Sequence, residues 1–176
     1  MQWAASFCLL SRRSVSPPVA ALPFTFTRSS DAFKGSEYTS TSETAHGLLR
    51  VDDDRLVIQW RVSRTTERMG RGYETKEVTE PVREVSVPLN QLASAQVRPA
   101  RLFAAPRLVL TASDLRTFEA VAGPTGLSVE HPGELVLTID KRHGDAAREF
   151  AGELELAISE RLMRLAEGES RPRLAP

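Results

Sequence analysis

From Arg55 to Val62 the chain alternates: Leu56, Ile58, Trp60 and Val62 fall on one side, and Val57, Gln59 and Arg61 on the other. That is the two-residue period of a β-strand with one face in a core. The preceding "HGLLRV" has the same character, and Asp52, Asp53 and Asp54 between the two runs have the short polar side chains of a tight turn. The two runs are therefore expected to form a hairpin. "SRTTERMGRGYETKE" is polar and holds two glycines, which fits a long loop or an extended hairpin tip. Strand character returns in "PVREVSVPL", with Val82, Val85 and Val87 as buried candidates. The step from 82 to 85 breaks the alternation and points to a bulge near Arg83.

Pro88 has no amide hydrogen to give to a sheet, so this strand is expected to stop there. "LNQLAS" can make one helical turn with Leu89 and Leu92 against the core, and "SAQVR" can begin a strand in a new direction. A sheet turns a corner in this way. "RLVLTA" (107–112) and "GELVLTID" (133–140) supply further strands, separated by a short strand or turn around Leu115 and Phe118 and a Gly/Pro-rich loop. After Asp145, expected as the N-cap, Ala147, Phe150, Ala151, Leu154, Ile158, Leu162 and Leu165 recur at three- and four-residue spacing. This predicts an amphipathic helix of about 20 residues, with Arg161 and Arg164 towards its end and Gly168 just beyond. Its apolar stripe needs a cover, and the open end of a bent sheet is the available partner.

Residues 1–43 differ from the rest. Up to Ser30 there is no acidic residue, and arginines, serines and prolines are interspersed. The apolar run Trp3 to Leu10 is too short to span a bilayer. A secretory signal, an organelle transit peptide and a later translation start stay open for this stretch. The expectation is a mostly disordered extension over 1–43 with an edge strand at 22–27 and "GSEYTSTSET" as a connector, a domain over 44–167, and a disordered tail at 168–176. Composition adds exclusions. The 23 basic and 23 acidic side chains cancel, which disfavours nucleic acid as a partner. Cys8, the single cysteine, leaves no intramolecular disulfide and no cysteine-based zinc site.

The expected fold class is mainly β with a C-terminal α-helix: a bent sheet or partly open antiparallel barrel capped by the helix. In order, the segments 47–50 ("GLLR"), 83–89 ("REVSVPL"), 107–110 ("RLVL"), 114–116 ("DLR"), 133–139 ("GELVLTI") and 145–151 ("DAAREFA") resemble the bacterial pleckstrin-homology-like (PH-like) domains. The resemblance covers roughly residues 45 to 165 and rests on the order of these segments, none of which carries chemistry. It implies a PH-like fold, a bacterial origin and a cytoplasmic location.

No catalytic constellation emerges. His46, His131 and His143 lie far apart, with no serine elbow, paired-histidine motif or phosphate-binding glycine loop beside them, and read as surface turn residues. Asp52 to Asp54 read as a turn, since no EF-hand spacing follows. Trp60 and Phe150 are expected in the core. The suggestive surface is the segment Arg61–Lys76, where Arg61, Arg64, Arg68, Arg71 and Lys76 outnumber Glu67 and Glu74, with Met69 and Tyr73 interleaved. Arg61, Arg64, Arg68, Arg71, Tyr73 and Lys76 are therefore the expected contact residues, and no cofactor or metal is called for. The function expected is a non-catalytic binding or scaffolding module that holds a protein or peptide at a sheet edge or barrel mouth. A small enzyme or ligand carrier with an unadvertised pocket, and a weak anionic-lipid binder using the Arg61–Lys76 segment, are the alternatives.

Overall fold

The computed structural model describes residues 21–99, 104–122, 127 and 131–169. Among these residues eight antiparallel strands form one sheet: β1 (Leu22–Lys34), β2 (Glu37–Asp52), β3 (Arg55–Met69), β4 (Tyr73–Thr79), β5 (Arg83–Pro88), β6 (Leu92–Arg98), β7 (Arg107–Ala112) and β8 (Glu134–Thr138). The spatial order is β4-β3-β2-β1-β8-β7-β6, and β5 shares the outer edge of β3 with β4. One α-helix, α1 (Gly144–Glu169), ends the described chain. The sheet is bent and does not close: β5 and β6, consecutive in the chain, do not pair.

The corner between them forms as the proline requires. β5 ends at Pro88, residues 89–91 make a single 3₁₀ turn with Leu89 buried, and β6 starts at Leu92. The Leu89 N–H is satisfied by the Asp54 carbonyl at 2.9 Å. The bulge lies just before Arg83: Thr79 to Arg83 is four steps, but their partners Ser63 and Trp60 are three apart, so 80–82 holds one extra residue. Val82 is exposed there, contrary to the buried position its sequence context suggested. The segment around Leu115 and Phe118 is a series of turns that buries Phe118 and leaves Leu115 outside.

The core lies between the concave side of the sheet and α1. Leu56, Ile58, Trp60 and Val62 enter it from β3, and Phe150, Ala151, Leu154 and Ile158 from the helix. Phe24 of β1 needs Gly47 opposite: its ring lies across the glycine so closely that a Cβ there would meet Phe24 Cζ at 2.3 Å. The helix also covers the free edge of β6, where Glu155 Oε1 accepts the Ala95 N–H at 2.7 Å. This is one of the ways proteins blunt a strand edge.

Three expectations about the ends of elements change. α1 begins at Gly144, after a 3₁₀ turn capped by the Asp140 side chain, so Asp145 sits in the first helical turn and pairs with Arg148 rather than capping. The helix continues through Gly168 to Glu169. Leu162 and Leu165 are exposed, because the helix overruns the sheet after Ile158. Arg161 and Arg164 tie this overrunning part to Asp54 in the β2–β3 turn, at 2.9 and 3.5 Å. Asp53 in that turn adopts φ 51°, a left-handed conformation that aspartate tolerates better than most residues.

The largest correction concerns residues 28–43, expected to be disordered or a connector. They are strands. Gly35, at φ 62°, and Ser36 make a two-residue hairpin turn, and β1 pairs with β2 in unbroken register from Leu22↔Leu49 to Lys34↔Glu37. A second hairpin joins β3 to β4 through residues 70–72. Beyond the last buried row, Ala45↔Val62, these four strands form an arm that, among the described residues, carries no helix on either face. The seven residue steps along β2 from Ala45 back to Tyr38 give it a reach of roughly 23 Å. Residues 1–20 and 170–176, to which extension and tail were also assigned, lie outside the described residues.

Candidate functional site

The arm is where the expected contact residues fall. Arg61, Arg64 and Arg68 belong to β3, Arg71 to the turn, and Tyr73 and Lys76 to β4. The alternative of an extended hairpin tip therefore holds, and the strand period separates residues that a loop could have gathered. Arg64, Arg68 and Lys76 lie on the side continuous with the core face, whereas Arg61 and Tyr73 lie on the opposite side. Register sets Arg68 opposite Glu74, and Arg61 opposite His46. The six do not make one basic patch.

Arg64 has a structural task. Arg28, Glu43 and Arg64 stand directly across β1, β2 and β3, where the body gives way to the arm. Glu43 accepts from Arg28 Nε on one oxygen and from Arg64 Nε at 2.6 Å on the other, with its side chain only 12% exposed. Arg64 reaches on to Glu80 at 3.8 Å, and Glu80 to Arg83 at 3.4 Å. Burial pushes the Glu43 carboxyl up, but the hydrogen bonds and charges of Arg28 and Arg64 together outweigh it and hold the group below the usual glutamate range.

A carboxyl with a depressed folded pKa contributes stability above its unfolded pKa, and that contribution is lost as pH falls through the folded one. Glu43→Gln is accordingly expected to cost about 1.5–3 kcal/mol at neutral pH, the range of charged hydrogen bonds. The gap between the two proteins, read from urea unfolding across pH, should close as the solution is acidified through the glutamate range. A gap independent of pH would refute the ionised bridge.

The far end of the arm differs chemically. Phe33, Tyr38, Met69 and Tyr73 are consecutive partners across β1, β2, β3 and β4, a single row on the face away from the core. Phe33 is 79% exposed, Tyr73 65% and Met69 53%. The Phe33 and Tyr38 rings lie 4.8 Å apart at 42°, and the Tyr38 hydroxyl donates to Asp31 Oδ1 at 2.9 Å, which fixes its ring. Phe33, Tyr38 and Met69, with Ser36 and Gly70, line an open hollow of about 490 Å³. Sequence reasoning found Tyr73 and noted Met69 but missed Phe33 and Tyr38, two aromatics isolated in a polar run. The available signal was "KGSE", a Gly-Ser pair that suits a two-residue hairpin and brings aromatics two positions to either side face to face.

Other candidates stay apart. His46 is on β2, His131 bridges to Glu134, and His143 ends the 3₁₀ turn before α1. Among the described residues no three His, Cys, Asp or Glu side chains are grouped so as to hold a metal, and no helix is long and apolar enough to cross a membrane. A larger hollow, about 590 Å³, lies at the start of α1 and is lined by Val97, Pro99, Pro106, Lys141 and Arg148 among others. Among the described residues that line it, the charged groups are both cations. The chain matches no family model. Nor does any curated protein or solved structure match it.

Proposed function

We propose that this chain is a non-catalytic binding module that seats a partner protein on the tip of its arm. The observation that carries the reading is the row Phe33–Tyr38–Met69–Tyr73, in which Phe33, Met69 and Tyr73 are exposed and Tyr38 is half-buried between them. Aromatic residues and methionine are enriched at the centres of protein interfaces, and large side chains held in one row form a pre-arranged contact surface. Arg71, in the β3–β4 turn, lines a hollow with Met69 and Tyr73, as arginines border many such centres. A PH-like identity belongs to the same proposal. Its support is the order of elements: one meander, a proline corner, a second meander, then a helix against the open sheet. A cytoplasmic location goes with that identity.

The test places a photo-crosslinking amino acid at Met69 in cells producing the full chain. A discrete adduct with one protein is expected, abolished by Phe33→Ser with Tyr73→Ser and retained in Leu48→Ser, an exposed position on the body. The double variant should match the parent in thermal stability to within about 0.5 kcal/mol, as surface changes do. No adduct, or one indifferent to the double variant, refutes the reading. Flotation of the full chain with anionic vesicles, lost at high salt, would move the tip to a membrane surface instead.

A further inference from the structure

We infer that the outer edge of β4 pairs with the same edge of a second copy, joining two arms into one antiparallel sheet. This concerns the strand edge, not the tip row, and does not depend on the proposal above. Two of the strand edges among the described residues are treated differently. That of β6 is covered by α1, whose Glu155 takes an edge N–H. β4 pairs with β3 alone among the described residues, and all seven of its residues are exposed. An exposed run of unpaired N–H and C=O groups is a template for another strand.

The charges on β4 select the partner and the register. A two-fold axis relating identical antiparallel strands stands normal to the sheet and keeps each residue on its own face, so the axis must pass midway between the two copies of one residue. Centring it on Glu74, Lys76 or Glu77 sets that residue against its own charge, which is unfavourable for directly opposed pairs. Centring it on Val78 draws Pro81, which has no N–H, into the ladder. Centring it on Thr75 opposes Glu74 to Lys76 of the other copy twice over, and matches Tyr73 with Glu77 and Gly72 with Val78. A lysine on an edge strand ordinarily resists pairing. In this register it has its counter-charge, which a second copy supplies and an arbitrary peptide does not.

The register can be tested on the full chain carrying Cys8→Ser. Thr75→Cys lies on the axis and should form a disulfide-linked dimer under mild oxidation, because opposed residues bring Cα atoms within bonding range. Thr79→Cys, about 27 Å from its counterpart in this register, should not. In sedimentation experiments Lys76→Glu should weaken dimerisation at least tenfold, and Glu74→Lys with Lys76→Glu should restore it. A chain that stays monomeric to several hundred micromolar, equal cross-linking at both positions, or a double variant no better than the single one would overturn the inference.

Discussion

Gly47→Ala should lower the stability of this protein by about 3 kcal/mol, the upper part of the range for overpacking. The reason is double contact. An added Cβ would lie 2.3 Å from Phe24 Cζ and 2.5 Å from the Gln59 carbonyl oxygen. The ring can rotate, but the carbonyl belongs to the β2–β3 ladder and cannot move without loss of strand pairing. At 2–4 °C per kcal/mol for a chain of this size, the melting temperature should fall by roughly 6–12 °C. Phe24→Leu in the same protein should recover part of the loss and leave the carbonyl's share. An alanine variant within about 0.5 kcal/mol of the parent would mean that β1 and β2 are not packed as described.

The second large effect belongs to the helix. Phe150 is among the largest fully buried side chains, and its removal should cost about 3–5 kcal/mol, as expected for phenylalanine-to-alanine changes in a core. Leu162, on the same apolar stripe three turns later, is 46% exposed, and Leu162→Ala should stay within about 0.5 kcal/mol. The contrast, measured by urea unfolding, reports where the sheet stops covering the helix. Comparable losses at both positions would place the overrunning turns against something that the fold does not show.

These two experiments divide what the sequence makes visible from what it hides. Alternation at Leu56, Ile58, Trp60 and Val62, the stop at Pro88 and the Phe150–Leu154–Ile158 stripe are legible because each residue answers to one buried face. The length of the stripe overstated the contact, since periodicity records which side of a helix is apolar but not where its cover ends. The arm was illegible for the opposite reason. Apart from the tip row and Val78, residues 27–44 and 63–79 are mostly polar on both faces, so the two-residue period that announces a half-buried strand has little to write with. What remained was threonine content and two glycine turns. The tip row was hidden with it, because Phe33 and Tyr38 become neighbours of Met69 and Tyr73 only through strand register.

β1, β2 and β3 pass from the core into the arm with no proline and no break in pairing beyond the Gly47 row. The molecule thus has an outrigger rather than a tether. Anything seated at its end meets side chains whose backbone is already ordered, so association forfeits little of the freedom that a linker-borne site would have to surrender. It also inherits a set orientation to the main body, and a displacement at one extremity is passed to the other as through a beam.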